Sequence, residues 1–135
     1  MRVFLDANLL FTAAHHPAGK AHWLITGGSS GNLRLLTCTL SVEEARRNLA
    51  VKAPPPALAE LDRLLRKMEV LATPAHGFCP FPLAKKDQPL YWAAKAGKAS
   101  HFLTGDIGDF GPLMNKPGKT GGIMIQTLQQ FIETI

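Results

Sequence analysis

Ten residues of this 135-residue chain are acidic, and five of them fall where one backbone segment turns into the next. Asp6 closes the apolar run that starts at Arg2, and Asp106 closes a later run that starts at His101. Asp109 follows three residues on, and Glu44 and Asp87 lie at the starts of two expected helices. Carboxylates are costly to bury unless they are paired, hydrogen-bonded or bound to a cation. A chain that carries several of them to the ends of core strands is expected to build a cation site. Oxygen ligands suit Mg²⁺ and Mn²⁺, and the chemistry such a site supports is metal-dependent attack on phosphate.

The overall charge points the same way. Lys and Arg outnumber Asp and Glu by 15 to 10, giving a net charge of +5 and a pI near 9.5. Carboxylates that hold a metal, inside a protein whose Lys and Arg attract phosphate, are what a nuclease needs.

The residues that could do chemistry need elements to position them. Apolar runs alternate with helical patterns, which predicts an α/β domain with a largely parallel sheet of five strands. The expected strands are Arg2 to Asp6, Leu33 to Cys38, Glu69 to Ala72, Ser100 to Thr104 and Gly122 to Gln126. A helical stretch from Leu9 to Trp23 is expected to break near Pro17 and Gly19, ahead of a flexible loop from Gly27 to Gly31. Ser41 is the expected N-cap of a helix running to Lys52, with Glu44 in a capping box. Pro54 to Pro56 separate it from a helix over Ala57 to Lys67. The proline-rich stretch from Thr73 to Lys86 reads as a loop, and Asp87 to Gly97 as a helix that tolerates Pro89 in its first turn. Gly105 to Met114 reads as a turn or short helix, and Leu128 to Ile135 as a final amphipathic helix. Ligand sites in parallel sheets lie at the carboxyl ends of strands where the strand order reverses. If the first and fourth strands are neighbours there, Asp6 and Asp106 meet.

Each acid has an alternative use. Asp6 could cap the following helix, Asp87 is a plausible N-cap, Glu44 could be half of a capping box, and Asp106 and Asp109 could shape a turn. Periodicity against Val42, Ala45 and Leu49 does not separate Glu43 from Glu44. Glu60, Asp62, Glu69 and Glu133 read as solvated charges. Arg46, Arg47, Lys95 and Lys98 lie on expected polar helix faces and could contact phosphate, with ordinary solvation the preferred reading. Cys38 and Cys79 form no CxxC pair, and His15 and His16, being adjacent, face different ways. The Gly27 to Gly31 run is not a phosphate-binding loop, and no GxSxG is present. No apolar run approaches the roughly 20 residues of a membrane span. No signal peptide is expected either, since Asp6 interrupts the first apolar stretch. A single domain over residues 1–135 in the cytoplasm is the expectation.

Four segments taken together resemble the PIN-domain family. They are Val3-Phe-Leu-Asp6-Ala-Asn8, then Thr39 to Leu49 with Glu44 ahead of Ala-Arg-Arg-Asn-Leu, then Lys86-Asp87, then Phe102-Leu-Thr-Gly-Asp106 with Asp109. They occur in the family's order and span nearly the whole chain. The resemblance implies a three-layer α/β/α sandwich with a five-stranded, mostly parallel sheet. It implies an Mg²⁺- or Mn²⁺-dependent ribonuclease of the stand-alone, VapC-like toxin kind. The metal would be held by Asp6, Glu44 (in preference to Glu43), Asp87 and Asp106. Asn8 and Thr104 would orient carboxylates or substrate phosphate, and Asp109 would be an auxiliary acid. The proline-rich stretch before Asp87, and Pro89 after it, depart from the family's pattern. The implied partners are RNA, a cognate antitoxin and a second copy in a homodimer.

The leading reading is therefore an endoribonuclease that attacks a phosphodiester in line and leaves a 5′-phosphate. The alternative is a non-catalytic module that holds RNA or protein with the same fold. A phosphotransferase of the haloacid-dehalogenase type would need a second Asp where Asn8 stands.

Overall fold

The computed structural model describes residues 1–27 and 31–135, so most of the expected loop from Gly27 to Gly31 lies outside the described residues. The chain begins with strand β1 (Arg2–Leu5), followed by helices α1 (Ala7–His15) and α2 (Lys20–Ile25), with the break at Pro17 to Gly19 where it was expected. Strand β2 (Arg34–Cys38) leads directly into α3 (Thr39–Lys52), then α4 (Pro56–Leu65) and β3 (Glu69–Leu71). A long loop reaches α5 (Gln88–Ala96), β4 (His101–Leu103) and the short α6 (Ile107–Phe110). Two 3₁₀ turns precede β5 (Met124–Gln126), and α7 (Leu128–Thr134) ends the chain.

The sheet is parallel throughout, in the order β3-β2-β1-β4-β5. From β1 the chain winds outward to β3, then crosses back to place β4 on the other side of β1. The reversal thus falls between β1 and β4. Strand alternation sends successive side chains to opposite faces. Val3 and Leu5 join Leu35, Leu103 and the apolar stripes of α1 to α4, with Phe131 of α7, on one face. Phe4 joins Leu36, Phe102 and Ile125 against α5, Phe110 and Leu113 on the other. The architecture is a helix–sheet–helix sandwich.

The pairing of β1 with β4 sets the level of the site. Leu5 lies opposite Leu103, Phe4 stacks on Phe102 with ring centroids 5.1 Å apart, and the Asp6 N–H donates to the Leu103 carbonyl at 3.0 Å. The side chains after these two strands, Asp6 and Thr104, therefore emerge side by side. None of the helices over the described residues is long and apolar enough to cross a membrane.

Two expectations are corrected here. The capping box of Ser41 and Glu44 is absent, because α3 starts earlier, with Cys38 as its extended N-cap residue. Thr73, beyond the end of β3, accepts the Leu40 N–H at 2.9 Å and meets the Thr39 hydroxyl at 3.0 Å. One free donor of the first turn is thus met from just beyond a neighbouring strand, and Ser41 is buried beside the Cys38 sulfur. Glu60 is not a freely solvated charge: His22 Nε2 lies 2.6 Å from its carboxylate and Arg63 pairs with it as well. These donors hold the Glu60 carboxyl down at about 2. A capping box does occur, unforeseen, at α7, where Thr127 and Gln130 satisfy each other's backbone N–H.

Candidate functional site

The carboxyl ends of β1 and β4 open onto a cavity of about 270 Å³. Asp6, Asn8, Glu44, Asp87 and Asp106 all line it, joined by Arg47, Asn48 and Lys86. Residues from four distant segments are thereby brought together, and Glu43 is not among them.

Asp6 leaves β1 just before α1 and is 4% exposed. Its Oδ1 accepts the Ala7 N–H at 2.7 Å, so it does cap the helix. Its Oδ2 accepts the Thr104 hydroxyl at 2.8 Å and the Asn8 side-chain amide at 3.2 Å. Burial pushes its carboxyl pKa up, and the nearby charges of Glu44 and Asp106 add to this, against the lowering effect of Thr104 and Ala7. Thr104 Oγ1 also accepts the Asp106 N–H at 3.0 Å. Asn8 Oδ1 accepts the Gly105 N–H at 2.8 Å, which fastens the start of α1 to the turn after β4. A Cβ at Gly105 would lie 3.2 Å from that oxygen, so a small residue suits the junction.

Asp106 caps the short α6 by accepting the Asp109 N–H at 3.0 Å. Asp87 does not cap α5. A capping side chain serves the N–H of the second or third helical residue. The second residue here is Pro89, which has none, and the Leu90 N–H already bonds the Asp87 backbone carbonyl. The Asp87 side chain is left for the cavity. It is 8% exposed, and among the described residues no donor reaches its buried Oδ2.

The carboxyl groups of Asp87 and Asp109 come close to each other, with an oxygen of each within 4.8 Å. Burial, then this contact and the charge of Asp109, push the Asp87 carboxyl up to about 7. Asp109 is held below the ordinary range, first by Asp87 and then by Lys86, whose Nζ lies 3.2 Å from Asp109 Oδ2. Oxygens of Asp87, Asp106 and Asp109 all lie within 4.8 Å of one another. This tight group includes the acid expected to be auxiliary and omits Asp6 and Glu44. Both Asp6 oxygens are committed to donors, and Glu44 stands exposed one helix away. A divalent cation suits this donor set, an orphaned buried carboxylate oxygen of Asp87 beside the carboxylates of Asp106 and Asp109, because it offsets their mutual repulsion.

Arg47 and Asn48 were not among the site residues expected from the sequence, where Arg46 and Arg47 could contact phosphate but solvation was the preferred reading. Helical spacing carried the missing signal. Once Glu44 faces the cavity, the residues three and four positions on share its face. Arg46 instead turns to α4 and pairs with Asp62 at 2.6 Å. Contrary to the expectation that these adjacent residues face different ways, the His15 and His16 rings lie 4.4 Å apart at a tilt of 31°, and they belong to no cation site among the described residues. A second cavity, of about 440 Å³, lies at the opposite edge of the sheet against Arg2, Arg34 and Lys67, and no acidic side chain lines it.

No protein-family model matches the chain, and no curated protein does. Among solved structures, that of VapBC2 from Rickettsia felis bound to a DNA fragment from their promoter is similar, with a TM-score of 0.66 over 94% of this chain and 98% of the other, at 14% identity. At that identity the likeness is one of fold. With the all-parallel order of its five strands, the chain has a PIN-like α/β fold.

Proposed function

We propose that this protein is a metal-dependent endoribonuclease with Asp6, Glu44, Asp87 and Asp106 as its catalytic carboxylates. The observation that carries this reading is their arrival, from four segments far apart in sequence, in one cavity at the β1–β4 reversal. Asp87, Asp106 and Asp109 would hold Mg²⁺ or Mn²⁺ most directly, with Asp6 and Glu44 completing the negative wall. A bound divalent cation supplies charge neutralisation at the phosphate and a more acidic water. Asn8 and Thr104 each donate to Asp6 Oδ2 and are themselves joined by a bond from the Asn8 amide to the Thr104 hydroxyl, which keeps the carboxylate in one orientation. Without metal the Asp87 carboxyl is pushed up to about 7, so a proton and a divalent cation compete for it near neutrality.

The net charge of +5 supports a polyanionic substrate, and the resemblance of its motifs to PIN-domain ribonucleases favours RNA. The fold it shares with VapBC2 supports a place as the toxin of a toxin–antitoxin pair, with a cognate antitoxin and a second copy of the chain as partners. The test is cleavage of single-stranded RNA with Mn²⁺ and with chelator. The wild-type protein is expected to cut only with metal, and Asp6→Asn to be folded and inactive. An Asp6→Asn protein that cuts at the wild-type rate would remove the assignment. Absence of any Mn²⁺ binding by the wild type in calorimetric titration would favour a non-catalytic binding module instead.

A further inference from the structure

We propose that Arg47 grips a phosphate of the RNA strand next to the bond being cut. This rests on the ribonuclease reading and adds an anion-binding wall to the cation-binding one.

The argument begins with α3. Leu40, Glu44, Arg47 and Asn48 follow one another along a single stripe of that helix, and all four line the cavity. The neighbouring Arg46 is spent on a different task, since it bridges α3 to α4 through Asp62 at 2.6 Å. Two consecutive arginines are therefore divided, one tied to the scaffold and one turned to the site. Glu44 and Arg47 stand three residues apart, the spacing at which opposite charges on a helix usually pair. Yet among the described residues Arg47 makes neither an ion pair nor a hydrogen bond.

Among the described residues the only other cation lining the cavity is Lys86, and its ammonium lies 3.2 Å from Asp109. Its charge is already answered. An RNA strand entering a cavity walled by four carboxylates meets repulsion that a divalent cation offsets only near the metal. A guanidinium with its donors uncommitted meets the next phosphate oxygens in a bidentate fork, which a flexible ammonium does not reproduce. Arg47 is thus assigned to substrate binding rather than to the chemical step.

Binding separates this role from catalysis. Fluorescence anisotropy of a labelled single-stranded RNA oligonucleotide would be measured on Asp6→Asn protein, where no cleavage intervenes, and on the same protein carrying Arg47→Gln. The added substitution is expected to weaken binding about tenfold at low salt. It is also expected to reduce the slope of log affinity against log salt by about 0.7, the loss of one phosphate contact to a single strand. Arg47→Lys should keep the salt slope while recovering only part of the affinity, and Arg46→Gln should leave both unchanged. In the cleavage-competent protein, Arg47→Gln should raise KM and leave kcat within a factor of about two. Equal affinity and equal slope with and without Arg47→Gln would overturn the assignment of Arg47 alone. If the Asp6→Asn protein itself binds no RNA, the ribonuclease reading falls, and this inference with it.

Discussion

The Thr104 hydroxyl donates to Asp6 Oδ2 at 2.8 Å, across the seam where the strand order reverses. The same oxygen of Thr104 accepts the Asp106 N–H at 3.0 Å. One buried hydroxyl thereby couples the carboxylate at the end of β1 to the backbone that carries the carboxylate after β4.

Replacing Thr104 by Val keeps the shape and removes the hydroxyl. A buried carboxylate oxygen then loses its strongest donor, and the Asp106 N–H loses its acceptor. The expected cost is about 1–3 kcal/mol, read from urea denaturation of metal-free protein. Thr104→Ser should recover most of it. A Thr104→Val protein as stable as wild type would mean that water or Asn8 replaces the hydroxyl at no cost.

Metal-free protein should become less stable as pH rises toward neutrality. The Asp87 carboxyl stands at about 7 in the fold against an ordinary 3.8, so between these values the native state keeps a proton that the unfolded chain has lost. Stability then falls with rising pH across that window. Asp6, also raised, acts in the same direction, whereas Asp109 is lowered and acts below the window. The urea midpoint of chelated protein is expected to decline from about pH 4 to about pH 7, and Asp87→Asn should shrink that decline. Mn²⁺ affinity should climb over the same range, because cation and proton compete for the same oxygens. An undiminished decline in Asp87→Asn would assign the effect elsewhere.

Gly77 belongs to the loop that delivers Asp87 to the cavity, and it lies flat on the Trp92 ring. A Cβ there would sit 2.7 Å from Trp92 Cγ and 2.8 Å from Cδ2. Gly77→Ala must push the loop off the indole, at a cost of about 1–3 kcal/mol. Denaturation and the tryptophan emission spectrum would both report it. Wild-type stability with an unchanged spectrum would show that the loop yields freely.

The amino-acid sequence by itself determined the layers and the strand ends. Apolar runs such as Val3 to Leu5 and Phe102 to Leu103 can be buried only as strands covered on both faces, and the polar residue that ends each run must then lie at the carboxyl edge. That is why Asp6 and Asp106 were legible as a pair. Which carboxylates stay free was decided by tertiary structure. From sequence Glu44 and Asp87 had the stronger claim to capping, yet in the fold it is Asp6 and Asp106 whose side chains cap helices. Thr73, more than thirty residues from Leu40, takes over the start of α3 and places Glu44 well inside the helix. Pro89 leaves Asp87 without a second-position N–H to cap. The inclusion of Asp109 in the tight carboxylate group, and the division of labour between Arg46 and Arg47, likewise depend on what each side chain meets across the fold. Hydrogen-bond donors and counter-charges are supplied by neighbours in space, and no local pattern of residues records where those neighbours come from.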